Sequence, residues 1–124
     1  MNLVDSCGWL EYLADGPNAA FFEPALMDTT ELLVPSICIL EVSKRMWLWL
    51  GKQAALAAAA AMREGQVVDM DAQLAWQAAC LGLEHRLPLA DSVILATALN
   101  HRAVIWTQDA HFRDRPGVRY QARP

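Results

Sequence analysis

Four short apolar runs (Leu3-Val4, Leu32-Leu33-Val34, Val67-Val68 and Ala103 to Trp106) are separated by much longer stretches with helical periodicity. Runs this short suit strands, and the stretches between them suit helices. Strand–helix alternation leaves few architectures open: strands joined by helices lie parallel, and the helices must cover both faces of the sheet. A fifth run, Val118 to Tyr120, is expected as an edge strand. The expectation is a three-layer α/β/α fold around a short parallel sheet of four to five strands. It forms one domain over residues 1–124, since a chain of 124 residues has no room for two.

The helices have readable ends. Ser6 to Ala14 is closed by Gly16-Pro17, and Ala19 to Met27 gathers Phe21, Phe22, Ala25 and Leu26 on one side. Ser36 is placed to cap a helix from Ile37 to about Leu50, ended by Gly51. Lys52 to Arg63 follows as the second arm of an antiparallel hairpin. Asp71 is placed to cap a helix that carries Leu74, Ala75, Ala78 and Leu81. The stretch Leu89 to His101 is apolar nearly all round, hence buried. Trp47 and Trp49 stand about 200° apart around their helix, so one is expected to face the core and the other to face outward. The outward ring is either an interface anchor or is covered by the alanines of the next helix.

Hydrophobic residues make up 55% and charged residues 19% of the chain, which supports a core and excludes disorder. The longest run of small apolar residues, Ala54 to Met62, is half a bilayer span. Asp5 and Glu11 interrupt the N-terminal segment where a signal peptide would need an apolar block. The expected location is the cytoplasm, with no membrane contact. Cys7, Cys38 and Cys80 are isolated and sit at no zinc spacing, so each is read as a small buried thiol in a reducing compartment.

Charge is uneven. Net charge is −4, yet residues 1–43 hold seven acids and no Lys or Arg, while Arg113, Arg115, Arg119 and Arg123 crowd the C-terminus. That tail is either a basic rim for phosphates or a solvated tail.

The chemistry lies in four acids. In an open parallel sheet, ligands gather beyond the carboxyl ends of the strands. Asp5 directly follows the first strand, and Asp109 comes three residues after the fourth. Glu41 lies one turn into the helix after the second strand, and Asp91 in the first turn of the buried helix before the fourth. Each alone has an ordinary explanation. Asp5 can cap a helix, Glu41 can pair with Arg45, Asp91 can complement a helix dipole, and Asp109 can open a turn. Glu41 and Asp91, however, are set among apolar neighbours, where an unpaired carboxylate costs several kcal/mol. A shared cation removes that cost for the whole set. Hard carboxylate oxygens without Cys or His select Mg²⁺ or Mn²⁺ over Zn²⁺. Such a site is equipped to hydrolyse a phosphodiester. Ser6 and Thr107 stand beside these acids, either as supporting groups that position a ligand or as ordinary caps.

The segments around the acids resemble a known family. Val4-Asp5-Ser6, Pro35 to Val42 with Glu41, Leu89 to Ala98 with Asp91, and Thr107-Gln108-Asp109-Ala110-His111-Phe112 are together similar to the motifs of PIN domains, over about residues 2–120. The small size resembles the VapC-type toxins of toxin–antitoxin pairs. The resemblance implies a PIN-like α/β/α fold and a Mg²⁺- or Mn²⁺-dependent endoribonuclease, with Asp5, Glu41, Asp91 and Asp109 as catalytic and metal-binding residues. It also implies an RNA substrate, a homodimer and a small antitoxin whose C-terminal segment covers the site. The segment Met46-Trp47-Leu48-Trp49-Leu50 departs from the family pattern. A rival enzyme reading and a signalling-domain reading both fit poorly. An Asp-nucleophile phosphatase wants a D-x-D pair where Asp5-Ser6-Cys7 stands. A receiver domain wants a Lys after its last strand, and the only lysines are Lys44 and Lys52. The remaining alternative is a non-toxin PIN-like module that binds or processes RNA without an antitoxin; a nonfunctional binding module would show a missing acid, and none is missing.

Overall fold

The computed structural model describes residues 1–124. Five parallel strands form one sheet: β1 (Asn2–Val4), β2 (Leu32–Pro35), β3 (Gln66–Val68), β4 (Val104–Thr107) and β5 (Val118–Tyr120), in the order β3-β2-β1-β4-β5. Six helices connect them: α1 (Ser6–Leu13), α2 (Ala19–Met27), α3 (Ser36–Leu50), α4 (Lys52–Met62), α5 (Ala72–His85) and α6 (Leu89–His101). The chain steps outward from β1 through β2 to β3, then crosses back to β4. Right-handed crossovers therefore put α1 to α4 on one face and α5 with α6 on the other. The three-layer expectation holds, and the sheet has its fifth strand. No helix is long and apolar enough to cross a membrane.

This order creates a switch point. β1 leads away to β2 on one side, while its other neighbour β4 leads away to β5 on the opposite side. A crevice opens where chain direction diverges, outside the carboxyl ends of β1 and β4. Register aligns those ends, pairing Val4 with Trp106, and the Asp5 amide extends the ladder by donating to the Trp106 carbonyl at 3.0 Å.

Packing explains the rest. Leu3, Val4, Leu32, Leu33, Val34 and Ile105 fill the sheet interior, with Phe22, Ile94 and Phe112 from the flanking segments. Gly8 lets α1 approach α2: a Cβ there would meet Phe22 Cε1 at 2.6 Å and Val4 Cγ1 at 2.7 Å. Helix ends partly follow expectation. Asp71 accepts from the Leu74 amide at 2.8 Å, and Gly51, at φ +92°, breaks α3 from α4. Ser36 does not cap; it is the first residue of α3, and Pro35, with its fixed φ of −61°, precedes it. Arg86 and Arg102 end α5 and α6 in the left-handed conformation where glycine is common.

Two expectations are corrected. Trp47 and Trp49 are both half-exposed, at 54% and 50%. The buried stripe of α3 is Cys38, Val42 and Met46, one residue per turn. Measured from Met46, the two indoles lie about 100° to one side and about 60° to the other, so they straddle the stripe and neither enters the core. α4 packs along α3 without covering them. Of the thiols only Cys38 is buried; Cys7 is partly buried and Cys80 is exposed, because α5 buries only Leu74 and Ala78 fully.

Candidate active site

The crevice at the switch point is a cleft of about 640 Å³ whose walls include Asp5, Glu41, Asp91 and Asp109. All four carboxylates expected from the sequence meet there, each from a different segment. Asp5 leaves β1 and Asp109 follows β4, while Glu41 sits in α3 and Asp91 in α6.

The ordinary explanations fail for Asp5 and Glu41 but hold for Asp109 and for Asp91, which lies in the first turn of α6. Asp5 stands at the N-cap of α1, but its side chain makes no capping bond. It accepts instead from Thr107 Oγ1 at 2.8 Å and Cys7 Sγ at 3.3 Å. Glu41 does not pair with Arg45; it accepts from Ser6 Oγ at 2.7 Å. Asp109 does open a 3-10 turn, Ala110–Phe112, by accepting from the His111 amide at 2.9 Å. Thr107 serves two acids, because its hydroxyl oxygen also accepts from the Asp109 amide at 2.8 Å. Ser6 and Thr107 thus each fix a carboxylate rather than merely ending an element.

One residue of the site has no role assigned to it in the sequence motif that contains it. His111 Nδ1 lies 3.0 Å from Asp91 Oδ2 and 3.0 Å from Asp109 Oδ1. Its position only two residues beyond Asp109 is the one sequence signal, and it becomes meaningful once a 3-10 turn brings the ring back. The basic lining also differs from expectation. Lys44 and Arg45 of α3 reach the cleft, and none of the four C-terminal arginines does. Arg115 braces the backbone, donating to the carbonyls of His111 at 3.1 Å and His85 at 3.4 Å. Arg119 lies over Trp106 at 4.9 Å, and Arg113 over Tyr120 at 5.9 Å.

The electrostatics are those of crowded, poorly neutralised acids. Burial pushes Asp5 above the usual carboxylate range, against the Thr107 and Cys7 hydrogen bonds, and the charges of Asp109 and Glu41 add to the rise. Burial, then the charges of Asp5 and Asp109, push Asp91 up to about 7. His111 is raised too, chiefly by the charge of Asp109. Burial and Asp5 lift the Cys7 thiol to about 12, so it stays protonated.

The donor set fits a hard cation. Asp5 and Asp91 are 4% and 7% exposed, and no Lys or Arg nitrogen lies within ion-pair distance of any of the four acids. Asp91, Asp109 and His111 offer ligand atoms within 4.8 Å of one another. In this arrangement a histidine ring stands where positive charge is wanted. Asp91 and Asp109 can hold a divalent ion, and Asp5 and Glu41 line the same cleft.

A stability prediction follows from the raised carboxyls. The unfolded chain releases the Asp91 proton near 3.8, the folded chain at about 7. The folded state therefore binds more protons across that window, and its stability falls as pH rises through it. His111, also raised, acts in the same direction. In EDTA, Asp91→Asn is expected to melt above the wild type at pH 8, with the gap closing toward pH 4. Each kcal/mol of relieved repulsion is worth about 4 °C in a domain of this size. Equal melting temperatures at pH 8 would contradict the repulsion.

Comparison with known proteins adds the family. The family model described as PIN domain matches residues 3–118. No curated protein matches the sequence. Among solved structures, the chain is similar to a toxin–antitoxin complex from Klebsiella pneumoniae, with a TM-score of 0.77 and 23% identity over 96% of each chain. It is similar to DNA-bound VapBC from Salmonella typhimurium, with a TM-score of 0.76 and 20% identity over 98% of each. A Mycobacterium tuberculosis VapC described as a sarcin–ricin-loop-cleaving toxin gives 0.77 and 18% identity, over 90% of this chain and 92% of that one. At such identities the likeness establishes the fold.

Proposed function

Because the chain belongs to the PIN-domain family, we propose that it is a Mg²⁺- or Mn²⁺-dependent endoribonuclease and the toxin of a toxin–antitoxin pair. Asp5, Glu41, Asp91 and Asp109 are its metal-binding and catalytic residues. The observation that carries this reading is the meeting of four carboxylates from four segments in one cleft with no Lys or Arg paired to them. A divalent cation held there supplies water activation and neutralises charge on the scissile phosphodiester. The chain's own groups do the positioning. Thr107 fixes Asp5 and the backbone of Asp109, and Ser6 fixes Glu41. Lys44 and Arg45 at the rim attract the substrate phosphates.

The toxin assignment is supported by neighbours that are themselves toxin–antitoxin complexes. An antitoxin fits the apolar tip of the α3–α4 hairpin, where Trp47, Leu48 and Leu50 are all exposed. A homodimer fits a second, largely apolar cavity of about 560 Å³ between α5 and α6, beside exposed Leu83 and Leu89.

The test is RNA cleavage by the purified protein. Activity is expected with Mg²⁺ or Mn²⁺ and none with EDTA; equal cutting in EDTA would remove the metal from the account. A second measurement separates rim from metal site. Lys44→Gln with Arg45→Gln should weaken single-stranded RNA binding and flatten the slope of log K against log salt by about 1.4, at roughly 0.7 per phosphate contact. An unchanged slope would place the phosphate path elsewhere.

A further inference from the structure

Another cavity opens beside the acidic cleft. Its volume is about 470 Å³, and it shares Cys7, Leu10 and Arg45 with the cleft, so the two adjoin. We propose that this cavity receives the base of a nucleotide next to the scissile phosphate, with Trp49 as the stacking surface. The proposal rests on the ribonuclease reading and names a subsite for it.

The walls have the composition a nucleobase requires. Trp49 supplies a large π-face, and Pro17 and Leu10 supply further apolar surface. The Arg45 guanidinium lies over one face of the Trp49 ring, 5.6 Å from its centroid, which couples a phosphate-binding cation to the aromatic platform and leaves the opposite face for a base. Arg123 adds a second cation from the C-terminal tail, and the one acidic side chain on the wall, Glu11, is held by the Asn18 backbone amide at 2.8 Å.

That tail is held as a wall. Asn18, only 8% exposed, donates through Nδ2 to the Ala122 carbonyl at 3.1 Å and to Gln108 Oε1 at 2.9 Å. Gln108, whose oxygen is engaged there, lines the cavity, and its amide nitrogen makes no hydrogen bond to the protein. An N–H₂ without a protein partner suits the polar edge of a base.

Charge decides against a protein helix here. An apolar helix would leave Arg45, Arg123 and the Gln108 amide without partners, at a desolvation cost. Single-stranded RNA satisfies all three: phosphates for the arginines, a base edge for the amide, a base face for the indole. The apolar surface better suited to a protein partner, Trp47, Leu48 and Leu50, lines no part of this cavity.

The test is fluorescence anisotropy on the Asp91→Asn background, where binding is read without cleavage. The probes are a short single-stranded RNA and the same oligomer with abasic sites. Adding Trp49→Ala is expected to weaken binding of intact RNA roughly tenfold, the loss of about one stacked base. Abasic RNA should bind the single Asp91→Asn variant and the double variant equally. Trp49→Phe in place of Trp49→Ala should restore most of the affinity for intact RNA. Equal affinity of the single and double variants for intact RNA would overturn the subsite, as would an equal loss for intact and abasic probes. Unchanged RNA affinity alongside weakened self-association would assign the indole to a protein interface instead. None of these outcomes depends on catalysis, so a failed subsite leaves the ribonuclease reading intact. A wild-type protein that cuts no RNA with Mn²⁺ would sink that reading alone.

Discussion

Asp91→Asn and, separately, Asp5→Asn are expected to lower RNA cleavage roughly a thousandfold, equivalent to about 4 kcal/mol of transition-state stabilisation. Both substitutions keep shape and remove charge. Asp5 keeps its Thr107 partner in the variant, since an amide oxygen accepts as a carboxylate does. What is lost is the negative charge that draws a cation into the cleft. Steady-state cleavage with Mn²⁺ checks this, and raised Mn²⁺ should recover part of the rate if affinity is the main loss. Full activity in Asp91→Asn would return Asp91 to the ordinary role of an acid in the first turn of a helix.

A large loss of stability is expected from Phe112→Ala. The ring is fully buried in the main core, and its removal should cost about 3–5 kcal/mol. For a domain whose total stability is of order 5–15 kcal/mol, this is a large fraction. Phe112 also ends the 3-10 turn that carries Asp109 and His111, so the anchor of the core is the anchor of one wall of the site. Urea unfolding measures the first effect. Phe112→Leu should recover most of the stability, and a cost below about 1 kcal/mol for the Ala variant would show the turn to be held otherwise.

Much of the fold is legible in the sequence because strand and helix periodicities differ so plainly here. The runs Leu3-Val4 and Leu32 to Val34 lie within β1 and β2, and Val118 to Tyr120 is the edge strand β5. Periodicity carries no strand order, so the switch point between β1 and β4 cannot be read from it. The grouping of the four acids can, since position relative to strand ends places each of them. His111 escapes because its approach to Asp91 spans twenty residues and depends on a single turn of backbone. Three of the four C-terminal arginines, Arg113, Arg115 and Arg119, stay out of the cleft for a related reason. Composition locates charge along the chain, whereas Arg115 and Arg119 use theirs on backbone carbonyls and an aromatic face. The expectation for the tryptophan pair fails on width: a core stripe one residue wide leaves both flanking positions outside.

The strand order also governs when the molecule can act. β1 is the first strand made, yet one of its two partners, β4, lies 102 residues later, as Thr107 does from the Asp5 it bonds. A nascent chain that has exposed β1, β2 and β3 can zip three strands together, but β1 keeps an open edge and Asp5 and Glu41 face each other without Asp91 and Asp109. The cleft is therefore a product of late synthesis. Peptides truncated anywhere before Val104 should lack it altogether, so premature release from the ribosome yields inactive fragments rather than a partial nuclease.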